Sequence, residues 1–225
     1  MKKLIFGLLA FAVLACGFAG EAKAGIINGS FEDPIVPVAG FTNFLGGSTA
    51  ITGWTVVGVD SAVANGQFSQ SGITFQAQAG NQWIDMAGVT SNSKTSGVSQ
   101  NVATAIGTTY LLSFYVGSAT DRELFFASTV DLSIDGGART SYTNSTAPTN
   151  MLDWKLFNVS FIATGTTTNI TFFNGSEPNN FLGALDNVSI QESSPVPEPA
   201  SMSLLALGAA GMLGFRLRRR NKVVS

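Results

Sequence analysis

Tyr110-Leu111-Leu112-Ser113-Phe114-Tyr115-Val116 decides how the rest of the chain is read. Tyr110, Leu112, Phe114 and Val116 occupy every second position, and an extended chain points successive side chains to opposite sides, so these four share one face of a strand. The same alternation recurs outward from this run. Val130-Asp131-Leu132-Ser133-Ile134 alternates and stops at Asp135-Gly136-Gly137, a hairpin-type turn leading into Ala138–Tyr142. Phe157, Val159 and Phe161 form another apolar face, ended by a turn at Thr164-Gly165-Thr166. Ile170 and Phe172 point inward on the next strand, and Val188 and Ile190 on the last. No stretch between Gly25 and Ser193 sustains a helical period. Strands spaced by roughly 10 to 15 residues and separated by Gly- and Asn-containing turns predict an all-β protein, a jelly-roll β-sandwich, with one domain over residues 25–193.

The formal charge of −2 conceals an asymmetry. Lys2, Lys3, Lys23, Arg216, Arg218, Arg219, Arg220 and Lys222 supply eight of the twelve basic residues, all near the chain ends. Between Gly25 and Pro197 only Lys94, Arg122, Arg139 and Lys155 remain against twelve acids, a net charge near −8. Such a domain has no electrostatic footprint for nucleic acid. Neutral or cationic polymers, cations and other proteins suit it better.

The chain has no histidine, and Cys16 is its one cysteine. The commonest general base, the soft metal ligands and a thiol nucleophile are thereby missing from residues 25–193. Paired carboxylates could still hydrolyse glycosides. Glu32/Asp33, Asp121/Glu123 and Asp131/Asp135 are the candidates, and solvated acids beside turns explain all three pairs better. The domain is therefore read as no enzyme, with no catalytic residue and no required cofactor.

Both ends carry targeting patterns. Met1-Lys2-Lys3 precedes an apolar run, and Ala22-Lys23-Ala24 places small residues at both specificity positions of a signal-peptidase site, so residues 1–24 read as a signal peptide and Gly25 as the first mature residue. Cys16 sits in a loose lipobox-like run and reads as a small apolar residue of the leader. At the other end, Pro195 to Pro199 cannot continue a helix and forms an extended strip over residues 194–201. An uncharged run follows, read as a transmembrane helix over residues 202–217. Ala200 to Leu217 would span ~27 Å, enough for a thin hydrocarbon core. Arg216, Arg218, Arg219 and Arg220 would hold its end on the cytoplasmic side, with residues 218–225 as a basic tail.

Tripeptide, short span and arginine cluster in that order resemble the PEP-CTERM sorting signal, with Pro197, Glu198 and Pro199 as its motif. The resemblance implies processing by an exosortase and a final place at the cell surface or in the extracellular matrix. A second resemblance rests on Asn28-Gly29-Ser30-Phe31-Glu32, Ile51-Thr52-Gly53-Trp54, Gly80-Asn81-Gln82-Trp83-Ile84-Asp85-Met86, Gly97–Val102, Trp154 and Leu185-Asp186-Asn187-Val188-Ser189-Ile190. Their order is similar to the choice-of-anchor C family and the galactose-binding-like jelly rolls that serve as carbohydrate-binding modules. It implies binding of polysaccharide, or a structural place in a polysaccharide matrix. Sugar C–H faces stack on aromatic rings. Trp83 is the first candidate for that role, with Tyr115, Trp54 and Trp154 beside it and Phe126 and Tyr142 as further aromatics. The resemblance also places Glu32 and Asp186 where related jelly rolls hold a structural Ca²⁺. The alternative for Asp186 is a carboxylate that accepts backbone N–H groups at a strand turn.

Overall fold

The strand read first lies one place in from the edge of the largest sheet. The computed structural model describes residues 25–120, 125–146, 150–177 and 182–193. The expected leader with Cys16, Ala22 and Ala24, the sorting residues Pro197, Glu198 and Pro199, the helix at 202–217, the four arginines, and the pair Asp121/Glu123 lie outside the described residues.

Fourteen strands are described: Phe41–Leu45 (β1), Thr55–Val57 (β2), Asp60–Asn65 (β3), Ser69–Gln70 (β4), Ile73–Thr74 (β5), Gln82–Asp85 (β6), Gly97–Ala103 (β7), Thr109–Thr120 (β8), Phe125–Phe126 (β9), Ser128–Ile134 (β10), Thr140–Asn144 (β11), Leu152–Ile162 (β12), Thr167–Asn174 (β13) and Ala184–Glu192 (β14). The larger sheet runs β1-β3-β6-β14-β8-β12, with β9 added to β8, and the smaller β11-β10-β13-β7-β2. Neighbours within both sheets are antiparallel. From β6 onward the chain passes repeatedly from one sheet to the other, which makes the sandwich a jelly roll. Among the described residues there is no helix.

Alternation explains the main core. Tyr110, Leu112, Phe114 and Val116 of β8 are fully buried between the sheets. They meet Ile170 and Phe172 of β13, and the rings of Phe114 and Phe172 cross edge-on with centroids 5.0 Å apart. Val130, Leu132, Val188 and Ile190 join them, as their spacing required. The turn after β10 is the expected tight hairpin: Asp135 and Gly136 have φ of 51° and 69°, and Gly137 N–H donates to the Ile134 carbonyl at 2.9 Å. Two left-handed residues in succession match the twist of the flanking strands.

A second core lies on the other face of the larger sheet, and nothing in the strand period announces it. Trp83 of β6 packs there with Ala64, Ile73, Ala119, Leu152, Leu182 and Ala184. The cover is the β4–β5 hairpin and the segment after it. Small residues on the sheet make the room. Ala64 faces Trp83 across the β3–β6 pair, and a Cβ added to Gly117 of β8 would come within 2.7 Å of the Ala184 methyl. Strand β6 is thus buried on both faces, Ile84 inward and Trp83 outward.

Candidate functional site

The hairpin that covers Trp83 does not cover the whole face. Between it and strands β1, β3 and β6 lies a cleft of about 750 Å³. Its floor is Ala62 and Ala64, and its aromatic walls are Phe41, Phe68 and Phe75. These rings form a continuous series: Phe41 meets Phe68 edge-on at 5.5 Å, Phe68 meets Phe75 at 5.7 Å, and Phe75 stacks on Trp83 at 6.0 Å. Phe41 stands 42% exposed at the rim. The turn Ser69-Gln70-Ser71 contributes polar groups along one wall, and Asp85 contributes a carboxylate. Apolar walls with a few convergent polar groups are the usual make-up of a small-molecule or saccharide site.

Asp85 lines this cleft and Asp60 lies near it, and the two acids behave differently. Asp60 is buried and its oxygens are occupied: Oδ2 accepts the N–H groups of Val89 and Thr90 at 2.9 and 3.0 Å and the Thr90 hydroxyl at 3.0 Å, while Oδ1 accepts the Ser91 hydroxyl at 3.2 Å. Burial alone would raise its pKa, yet these donors together hold it below the ordinary value. Asp85 uses only one oxygen. Its Oδ1 accepts Ala87 N–H and Gly183 N–H, both at 2.9 Å, and no described residue donates to Oδ2. Burial, with a smaller contribution from the Asp60 charge, pushes Asp85 up to about 7 against those two N–H bonds.

The aromatic candidates separate cleanly by face. Trp54 is 2% exposed in the inter-sheet core, tilted against Phe31 at 5.4 Å, with its Nε1 donating to the Asn28 carbonyl. Trp83 is also 2% exposed, and its Nε1 donates to the Phe75 carbonyl at 2.9 Å. Neither ring can stack on a sugar, because both faces of each are covered by protein; the first choice for that role, Trp83, instead supports the cleft from beneath. Tyr142 turns inward as well, edge-on to Phe114 at 5.2 Å. Trp154 and Tyr115 lie half-buried on the outer face, Trp154 edge-on to Trp83 at 6.1 Å with its Nε1 donating to the Gln76 carbonyl. Phe126 is located only by its strand. The residues that wall the cleft, Phe41, Phe68, Phe75 and Asp85, were not among the candidates. A signal existed in Phe68-Ser69-Gln70-Ser71-Gly72-Ile73-Thr74-Phe75, where a Ser-Gly turn between polar and aromatic residues marks a short hairpin. Ser71 and Gly72 do take φ of 52° and 79°.

Glu32 and Asp186 are brought together, but as clamps on one loop. Asp186 Oδ2 accepts the N–H groups of Gln78 and Ala79 at 2.8 and 3.0 Å, and its Oδ1 accepts Asn187 N–H at 2.6 Å. Glu32 Oε1 accepts the N–H groups of Asn81 and Gln82 at 2.7 and 2.8 Å. A Cβ on Gly80, which sits between them with φ of 68°, would strike the Glu32 carboxylate. Burial, and secondarily Glu32, push Asp186 up to about 7 despite its three N–H donors. A Ca²⁺ site needs six to eight oxygens turned toward the ion. Here five N–H groups point at the two carboxylates instead, so the donor set does not fit Ca²⁺, and the backbone-accepting alternative describes Asp186. Gln82 completes this end of the domain: its side-chain amide donates to the carbonyls of Phe31 and Pro34, and its Oε1 accepts Val36 N–H at 2.6 Å.

Among the described residues, the other expected acid pairs form no catalytic pair. Asp131 accepts the Ser141 hydroxyl on the outer face of the smaller sheet, whereas Asp135 lies in the turn and accepts Asn169 N–H at 2.7 Å. They do not share a strand face, because the strand ends at Ile134. Asp33 is held by the Thr52 hydroxyl.

Fold and cleft together define a jelly-roll β-sandwich with a ligand-sized, aromatic-walled site on the outer face of its larger sheet. The chain belongs to the DUF642 family, described as a protein of unknown function, whose model matches residues 24–191. It also carries a PEP-CTERM protein-sorting motif at residues 195–220. Among solved structures, a xylan-binding CBM22-1 domain from Paenibacillus barcinonensis is similar at 16% identity, covering 72% of this chain and 100% of that one with a TM-score of 0.40. A family 35 carbohydrate-binding module from Clostridium thermocellum is similar at 14% identity, covering 67% and 98% with a TM-score of 0.38. An exo-β-1,3-galactanase from Phanerochaete chrysosporium is similar at 17% identity with a TM-score of 0.41; the match covers 68% of this chain and 30% of the galactanase chain. No curated protein matches the chain.

Proposed function

We propose that the protein is a saccharide-binding module, sorted by an exosortase after signal-peptidase cleavage and working at the cell surface or in an exopolysaccharide matrix. The observation that carries the binding reading is the cleft itself, in which Phe41, Phe68 and Phe75 offer ring surfaces beside Asp85 and the Ser69-Gln70-Ser71 turn. Rings of this kind take the C–H faces of sugars, while the polar groups take hydroxyls. The paired state of Asp60 supports binding without catalysis. With the oxygens of Asp60 occupied by the 89–91 turn, Asp85 has no partner among the described residues for the acid and base roles of glycoside hydrolysis. The PEP-CTERM motif supports the sorting part of the reading.

A structural matrix role is favoured by a different surface. The outer face of the smaller sheet is a field of hydroxyls and amides, including the Thr129–Thr143, Ser99–Thr171 and Asn169–Asn101 hydrogen bonds at 2.7 to 2.9 Å. Calorimetric titration with neutral soluble oligosaccharides separates the two. The binding reading expects a dissociation constant of roughly 10 μM to 1 mM, little changed by salt, as suits stacking on a shallow site. Phe68→Ala should weaken binding at least tenfold while the protein stays folded. Absence of binding to every oligosaccharide, or full binding in folded Phe68→Ala, would remove the cleft from the account and leave the scaffold role.

A further inference from the structure

We propose that the preferred ligand of the cleft is a saccharide bearing a free amino group, whose ammonium pairs with Asp85 Oδ2. The inference rests on the cleft being the saccharide site and names the chemistry that it selects.

Three observations converge. The first is an open acceptor at the cleft. Asp85 lines it, and its Oδ1 is fixed by the N–H groups of Ala87 and Gly183. That grip holds the carboxylate in one orientation and leaves Oδ2 without a donor among the described residues. An oriented carboxylate oxygen beside apolar walls is a strong acceptor for a charged N–H donor, stronger than for a neutral hydroxyl. The second observation is the absence of a counter-charge. None of the described residues lining the cleft is Lys or Arg. The domain's few cations are engaged elsewhere: Lys94 with Glu177 at 3.2 Å, Arg139 over the Phe173 ring at 3.4 Å, and Lys155 over Phe157 at 5.0 Å. Arg122 lies outside the described residues.

The third observation is the sign of the neighbours. Asp60 on β3 adds negative charge beside Asp85, and Asp186 lies on β14 at the diagonal position from the Asp85–Ala184 pair. Asp60 is ionised and held so by its own donors. Burial and Asp60 push Asp85 up to about 7, as expected of an anion lacking a counter-charge. An arriving ammonium supplies that charge, whereas a uronate would add a third anion beside Asp60 and Asp85. The aromatic walls suit a sugar ring that carries the amine, rather than a bare metal ion. Cation and ring face would then be read by separate groups, Oδ2 for the first and Phe68 and Phe75 for the second.

Titration of the full chain in mild detergent at pH 7 tests this with three trisaccharides: glucosamine, N-acetylglucosamine and galacturonate oligomers. The expected result is at least about tenfold tighter binding of the glucosamine oligomer than of its acetylated form, with the uronate weakest. Asp85→Asn retains Oδ1 for both N–H groups, so it should fold and lose the preference for the amine, the two oligomers then binding within about twofold of each other. Phe68→Ala should weaken both. Equal binding of amine and acetylated forms, or a preference kept in Asp85→Asn, overturns the amino-sugar inference and leaves the cleft as a neutral-sugar site. Binding of none of the three overturns both readings.

Discussion

Asp186→Ala offers the sharpest test of how the cleft face is built. The carboxylate is fully buried and accepts three backbone N–H groups, from Gln78, Ala79 and Asn187. These bonds tie the segment behind the β4–β5 hairpin to β14 at its bulge between Asp186 and Ser189. Truncation leaves three donors without acceptors, and each orphaned buried donor costs about 1–3 kcal/mol. Two effects reduce the sum. Gln78 and Ala79 are only half-buried and can reach water, and removing Asp186 relieves its repulsion with Glu32. A net loss of about 3 kcal/mol is expected. At a urea slope of about 2 kcal/mol per molar, the midpoint should fall by roughly 1.5 M. Asp186→Asn should cost less than Asp186→Ala, because its amide oxygen can still accept the Gln78 and Ala79 N–H groups while its NH2 faces the Asn187 N–H. The assay is equilibrium urea unfolding followed by tryptophan fluorescence, with and without excess EDTA and Ca²⁺. A loss below about 1 kcal/mol would refute the clamp. A wild-type midpoint that drops with EDTA and recovers with Ca²⁺, but only while Asp186 is present, would show that a metal holds this loop instead.

Asp85 and Asp186 both stand at about 7 when folded, against an ordinary value of 3.8. The folded protein therefore keeps protons that the unfolded chain releases, and stability should fall as pH rises from about 4 through about 7, by up to about 4 kcal/mol per carboxyl; thermal melts should show a flatter profile in Asp85→Asn, and an unchanged profile would contradict the assignment. Processing is checked by mass spectrometry of surface-extracted native protein, which should begin at Gly25 and lack residues 202–225. Glu198→Ala should hold the precursor in the membrane, and an intact C-terminus in surface material would leave a plain anchor.

The sequence by itself determined the features that depend on near neighbours along the chain. The period-two pattern of Tyr110–Val116, Val130–Ile134 and Ile170–Phe172 settled which residues face the inter-sheet core, since strand geometry fixes the alternation wherever the strand lies. The Asp135-Gly136-Gly137 turn was equally local, and so was the Pro197-Glu198-Pro199 motif with the basic cluster behind it. What only the tertiary structure decided was the second face of the larger sheet. Alternation assigns Trp83 to the side opposite Ile84, but it does not say whether that side meets water or protein. The answer came from residues far apart in sequence: the β4–β5 hairpin lies over it, while Ala64, Gly117 and Ala184 on three different strands are small enough to let it down. The same hairpin stops short of β1, and so leaves Phe41, Phe68 and Phe75 walling a cleft, with one oxygen of Asp85 unmatched inside it. Burial on that face depends on which distant segments arrive there and how far they reach, and no local pattern encodes it.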